Sequence, residues 1–386
     1  MIEFAWPRIM KPLLKVLISL LVFLLSPFAG ALSRQESSKH TFNPDEIQIF
    51  MNPEVDIVYH ALAHFSVPGD PSNLYSADYL QQIRKAKQDL EVGQTKLDLA
   101  APQMEKTYRQ MPRLHFLNLA LFMADDFVSF KQALSMIDLN FRTDAPDSRE
   151  SLEQRKAKEG GAPLIFGNSK RLIPLLRNRF PDPQERQFLK QFAECLEDER
   201  SQFYKIYREA RSELDQQSFD RFQPFWKSEG ARMLQPWAAK SGVNAFNIYL
   251  CPVMKRNGRG VPVNQEQNVL FNVVAPLPDT KDQVLQAFFV ILHETTHRIT
   301  DLIVDSASFG SEDQQSISRE NGVFYADHVY LQSRFPQHHV SYLRFFLSLD
   351  NPKSSLPGNL ESEFLKSYPL APALKSSIDQ AVKDLQ

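Results

Sequence analysis

The sequence predicts an α+β protein that is predominantly α-helical, and three observations carry that expectation. Among 386 residues Gly is scarce (13) and Pro plentiful (25), which suits helices separated by rigid connections better than a Gly-rich β-protein. From about 46 to 240 the apolar residues recur mostly at helical spacing. Runs rich in Val, Ile, Phe and Tyr are confined to 244–253 ("NAFNIYLCPV") and 267–276 ("QNVLFNVVAP"). At 43% hydrophobic and 23% charged residues, the chain can build a large core, as one big domain or two. A net charge of -2 gives no general pull toward nucleic acid or anionic membrane.

The N-terminus stands apart. Arg8, Lys11 and Lys15 precede an unbroken apolar run from Val16 to Leu25, Pro27 breaks it, and Ala29-Gly30-Ala31 supplies small residues at A-x-A spacing. That is the layout of a secretory signal peptide over 1–31, cut after Ala31, and it implies periplasmic or extracellular export without a stable membrane anchor. The run is short for a bilayer, which needs roughly 20 residues. Residues 32–45 are polar and read as a flexible lead-in. In an exported chain Cys195 and Cys251 either pair or sit apart as small buried hydrophobes; their spacing leaves both open.

Over 46–240 the elements follow in order. "SADYLQQIRKAKQDLEVGQ" opens on Ser76 as a helix, and "RLHFLNLALFMADDFVSFKQALSMIDLN" reads as one long, deep helix. The charged stretch 142–162 is an exposed excursion, and "PQERQFLKQFAECLEDERSQFYKIYREARSELDQ" is a long amphipathic helix. From 241 to 335 the character changes. The two β-rich runs read as strands of a hairpin whose loop, "MKRNGRGVPVN", turns at Asn257-Gly258. Thr280 with Gln283 forms a capping box for a buried helix reaching about 304. Ser311 and Gln314 start another, which Pro336 closes at or before Phe335. Residues 336–386 return to helix.

The chemistry lies inside the buried helix, in "FFVILHETTHRITD". His293 and His297 are one turn apart on a single face, so their imidazoles can share one metal ion. Glu294 sits beside that face, where it can reach a water without being a ligand. Burying an ionised Glu without a partner costs several kcal/mol, about the range for an unpaired charge, and a metal-bound cluster resolves that cost. The segment His293-Glu294-Thr295-Thr296-His297 resembles the active-site helix of the zincin metallopeptidases, over perhaps 241–335. The resemblance implies Zn2+, one per chain, two histidine ligands, Glu294 as general base, and hydrolysis of a peptide or protein substrate.

The third ligand sorts the zincins. The metzincin continuation fails, because its places hold Thr300 and Ile303 and no Met follows Met254. Asp301 lies eight residues from His293, about 12 Å of helix rise; it suits a partner for His297 better than a ligand. Glu320, 23 residues after His297, resembles the ligand on the glutamate helix of gluzincins, with Asp327 near the same face as a residue that could orient a ligand histidine. Asp327 or Glu312 stands as the alternative ligand. Thermolysin-like enzymes carry Asp four residues after the ligand Glu, where this chain has Phe324, and the G-x-M-E-N exopeptidase motif is absent, so the resemblance stays at the level of the clan. By the same analogy "NVLFNVV" would be the edge strand that pairs with an extended substrate. Tyr325, His328, Tyr330, His338, His339 and Tyr342 are candidates for stabilising the oxyanion. A second pair at i, i+4, His60 and His64, lacks a visible carboxylate and reads as packed or cleft-lining. The alternatives to a peptidase are a non-catalytic zinc- or partner-binding protein and a zinc hydrolase of a non-peptide amide.

Overall fold

The computed structural model describes residues 47–65, 74–75, 78–124, 126–138, 169–265, 268–309, 311–350 and 359–385. The expected signal peptide, the lead-in and the excursion at 142–162 lie outside the described residues. The architecture is α+β and mainly helical, with one four-stranded sheet. Among the described residues no helix is long and apolar enough to cross a membrane.

Strand β1 (Ile47–Phe50) is followed by helices α1 (Pro53–Ala63), α2 (Tyr79–Asp89), α3 (Lys96–Gln110), α4 (Phe127–Ser135) and α5 (Ser169–Arg179). Next come α6 (Pro183–Glu199), α7 (Lys205–Phe225) and α8 (Ala231–Lys240), joined without a break by π turns at Arg200–Tyr204 and Trp226–Gly230. The sheet strands are β2 (Ala245–Cys251), β3 (Arg259–Gln265) and β4 (Asn268–Pro276); then α9 (Lys281–Asp305), α10 (Glu312–Arg334), α11 (Pro336–Asp350), α12 (Leu360–Ser367) and α13 (Pro372–Lys383) complete the chain.

The sheet order is β1-β2-β4-β3. β1 and β2 are parallel, β2 and β4 are parallel with Ala245 opposite Leu270, and β3 runs antiparallel to β4 with Arg259 opposite Val274. The sheet separates two hydrophobic cores. Phe246, Ile248, Leu250, Phe271, Val273 and Ala275 face a core built with α8–α13. Tyr249, Cys251, Val261, Val263 and Val274 face a second core built with α1–α6. Burial on both faces explains why β2 and β4 read as continuous apolar runs rather than alternating ones.

Several expectations are corrected here. The runs 244–253 and 267–276 do not form a hairpin with each other; the basic segment between them is itself a strand, and the hairpin is β3–β4. Pro262 masked it, since Pro demotes a run to an edge strand, which is what β3 is. "NVLFNVV" is consequently interior, paired on both sides. The stretch "RLHFLNLALFMADDFVSFKQALSMIDLN" is not one helix: short helical turns over 112–123 precede α4, which starts afresh where Asp126 accepts a hydrogen bond from the Ser129 N–H at 2.6 Å. In the N-terminal part β1 supplies a strand within a region expected to be helical, and Asp78 rather than Ser76 flanks α2. Cys195 and Cys251 are separate buried thiols; Cys195 lies 4.0 Å from the Met104 sulfur.

Candidate metal centre

α9 is held by its apolar face. Phe288, Phe289, Ile291 and Leu292 are buried against the sheet and α8, and the Gln283 carboxamide oxygen accepts from the Asp279 and Thr280 N–H groups at its start. α10 begins at Ser311, whose hydroxyl accepts from the Gln314 N–H at 3.3 Å. The two helices lock together at several levels. The Arg319 guanidinium Nε donates to Asp305 at 2.8 Å. The Thr296 hydroxyl donates to Asp327 Oδ1 at 2.6 Å, and Tyr342 on α11 donates to Oδ2 of the same carboxyl at 3.1 Å.

This packing brings Glu320 back to the histidine pair. His293 Nε2 lies 3.4 Å from Glu320 Oε2, and His297 Nε2 lies 3.7 Å from Glu320 Oε1. One ligand atom from each residue falls within 4.8 Å of the others, so the three can hold a metal ion. Ligand bonds of about 2.0–2.1 Å in a tetrahedral site put neighbouring donors about 3.4 Å apart, so the observed separations fit a shared ion better than direct hydrogen bonds. Side-chain exposures of 14% for His297 and 30% for Glu320 leave a solvent-facing side. Burial would lower His297, but the Asp301 and Glu320 charges outweigh it and raise it to about 10. Burial would raise Glu320; the neighbouring His297, then His293, bring it down to about 2. Glu312, exposed in the first turn of α10, is not part of the group.

The surroundings of the two histidines differ. His297 Nδ1 donates to Asp301 Oδ1 at 3.1 Å, which leaves Nε2, facing Glu320, as the nitrogen open to a metal ion. His293 Nδ1 is buried without a hydrogen-bond partner, and its ring packs between Phe324 at 4.8 Å and Phe346 at 5.5 Å. Asp327 therefore does not orient a ligand histidine by a direct hydrogen bond; it ties Thr296 to Tyr342. Burial raises its carboxyl to about 6.

Glu294 lies against the edge strand. A Cβ at Gly258 would sit 2.8 Å from Glu294 Cγ, and one at Gly260 would sit 3.3 Å from Glu294 Oε2. Only glycine lets the β3 backbone pass this close to the carboxylate. The sequence showed Gly258 only as a turn signal, and the spacing G-x-G was the available clue. The downstream oxyanion candidates are engaged elsewhere. Tyr330 donates to the Met233 carbonyl at 2.8 Å, Tyr325 to Asp379 at 3.1 Å and Tyr342 to Asp327. His328 and His339 bond each other at 2.7 Å, and His338 bonds Glu229 at 2.7 Å.

A second group, His60, His64 and Glu199, also brings three ligand-type atoms within 4.8 Å. A carboxylate does therefore reach this pair, contrary to the sequence-based expectation, because α6 packs on α1. The cation position is nonetheless filled. The Lys87 ammonium lies 2.9 Å from Glu199 Oε1 and 2.6 Å from Asp98 Oδ2. His60 Nε2 donates to Glu199 at 2.9 Å, and its Nδ1 accepts from the Tyr79 hydroxyl at 2.8 Å. Burial would raise Glu199, but the His60 hydrogen bond and the charges of His60 and Lys87 lower it to about 2. Burial and then the neighbouring His60 lower His64 to about 3. The group is a closed ionic knot, so the expectation of packed histidines holds for a different reason.

Comparison of the chain with family models, with curated proteins and with solved structures found no match.

Proposed function

We propose that the protein is an exported zinc-dependent metallopeptidase in which His293, His297 and Glu320 hold the metal and Glu294 is the general base. The observation that carries the reading is the return of Glu320, on a separate helix, to within 3.4 Å and 3.7 Å of the two histidine Nε2 atoms. Two imidazoles and one carboxylate, with a side open to solvent, form a donor set suited to catalytic zinc. Bound there, zinc supplies Lewis acidity toward a water and toward the carbonyl it attacks. Glu294 accepts the proton of the attacking water and delivers it to the leaving amine. Asp301 holds His297 in the tautomer that presents Nε2. β3 ends the sheet, so its outer edge offers unpaired backbone groups to an extended peptide. A structural metal site has no need of a base beside it, which separates this reading from a non-catalytic one.

The test pairs metal analysis with one variant. Purified mature protein should carry about one zinc per chain, and Glu294→Gln should keep the metal while losing hydrolysis of a broad peptide library. Normal activity in Glu294→Gln would sink the mechanism, and full-affinity zinc in Glu320→Ala would remove Glu320 from the ligand set.

A further inference from the structure

Arg298 directly follows His297 on α9, and helix geometry fixes where it stands. Successive residues turn by about 100° around a helix, so His297 lies about 40° from His293, Glu294 about 60° further round, and Arg298 about 40° beyond Glu294. Arg298 is also one turn along the axis from Glu294, about 6 Å of rise. The order around α9 is thus histidine pair, Glu294, guanidinium. The sheet gives the same placement. A Cβ at Gly260 would lie 2.7 Å from the tip of the Phe271 ring and 3.3 Å from Glu294 Oε2, so ring and carboxylate meet at that glycine. The Arg298 guanidinium lies over the same ring, 5.8 Å from its centre.

Arg298 is half-buried, and its Nε is shut off from solvent without a hydrogen-bond partner. Among the described residues its side chain makes neither a hydrogen bond nor an ion pair, not even with Glu294 at the i, i+4 spacing where such pairs form. Asp301, the carboxylate whose charge reaches it, is bonded to His297 Nδ1. Phe271 covers a face of the guanidinium, while its N–H edge has no acceptor. That edge is a rigid fork matched to a carboxylate. In the mechanism above Glu294 hands its proton to the leaving amine. The amine half of the substrate therefore lies on the Glu294 side of the metal, toward Arg298.

We propose that Arg298 selects the substrate by binding a carboxylate on the leaving-amine side of the scissile bond. The inference rests on the metallopeptidase reading above and adds a substrate class to it. The carboxylate comes from an acidic side chain or from the peptide C-terminus; both present the same group to the fork.

The test uses zinc-loaded full-length mature protein and internally quenched peptides. Members of the set differ only by Glu against Gln at one position on the acyl or the amine side of the cut, and each is made as C-terminal acid and as C-terminal amide. Wild type should favour a carboxylate on the amine side by roughly 10- to 100-fold in kcat/KM, the range of a hydrogen bond to a charged group. The difference should lie mainly in KM. Preference for Glu over Gln identifies an acidic side chain, and preference for acid over amide identifies the C-terminus. Arg298→Gln should bring the ratio close to one at unchanged zinc content, and Arg298→Lys should retain part of it. Arg259→Gln removes the same charge from the far face of β3, since Gly258 and Gly260 face α9 and side chains alternate along a strand; it should keep the wild-type ratio. An equal loss in Arg259→Gln would assign the preference to overall charge and overturn the inference. Hydrolysis with no carboxylate preference, a preference confined to the acyl side, or one that survives in Arg298→Gln also overturns it and leaves the metallopeptidase reading standing. Absence of hydrolysis by the zinc-loaded protein overturns both.

Discussion

The two histidines that could hold the metal are fixed by different forces. His297 is oriented by a hydrogen bond from Nδ1 to Asp301, whereas His293 is wedged between Phe324 and Phe346 with its own Nδ1 unpartnered. Asp301→Asn should therefore weaken zinc binding by roughly 10- to 100-fold, the usual effect of losing a partner behind a ligand, while the fold persists; competition with a chelator of known affinity measures it. An unchanged affinity would mean that helix packing alone orients His297. The glycines beside Glu294 are the other residue-scale constraint. A Cβ at Gly258 would lie 2.6 Å from Val290 Cγ1, 2.8 Å from Glu294 Cγ and 2.9 Å from the Val274 carbonyl oxygen, and the last cannot move without breaking the sheet. Gly258→Ala should cost about 1–3 kcal/mol of stability, as overpacking does, and displace Glu294. Urea unfolding and peptide hydrolysis read the two effects separately.

At the level of elements, the legible parts were those with local signals. Gln283 and Ser311 at the starts of α9 and α10, the apolar face between them and Pro336 beyond them fixed both helices from sequence. The strand β3 was not legible, because Arg259, Gly260 and Pro262 argue against a strand until pairing with β4 supplies one. Nor was Glu199 visible as the partner of His60, since 139 residues separate them and only the docking of α6 on α1 joins them. That knot links α1, α2, α3 and α6 through Lys87, Asp98 and Glu199. Lys87→Met would leave two carboxylates short of their cation and should cost about 3–5 kcal/mol, the range for breaking a buried pair; thermal or urea unfolding tests it. A second link carries a pH dependence. His328 on α10 shares a hydrogen bond with His339 on α11, and burial, then His339, lowers His328 from 6.5 to about 4. The folded protein keeps this imidazole neutral while the unfolded chain takes up a proton below 6.5, so the contribution is complete above that pH and is lost as pH falls toward 4. Stability should fall from about pH 6.5 to about pH 4, and the slope should flatten in His328→Asn. An unchanged slope would remove this pair as its source.

For the molecule as a whole, the sheet divides the labour between its faces. His293, His297 and Glu320 all project from helices of the core made with α8–α13, and the helices α1–α6 belong to the other side. Zinc would therefore tie α9 to α10 and touch the N-terminal layer only indirectly. A ligand that binds the folded state alone stabilises it by about 2.7 kcal/mol at a hundred times its dissociation constant. Proteins also open locally in cooperative units, so that stabilisation should be spent where the metal is held. Chelation of the zinc-loaded protein should speed amide hydrogen exchange in α9 and α10 around 293–300 and 316–327. Exchange in α3 and α6, which close around Lys87 and Glu199 instead, should stay as it was. Readdition of zinc should restore protection at the same positions. Faster exchange spread equally over both cores would show that the metal holds the whole fold together rather than one helix pair. No change anywhere would show that Thr296, Asp327 and Tyr342, already hydrogen-bonded across α9, α10 and α11, suffice to hold the site in place before the metal arrives.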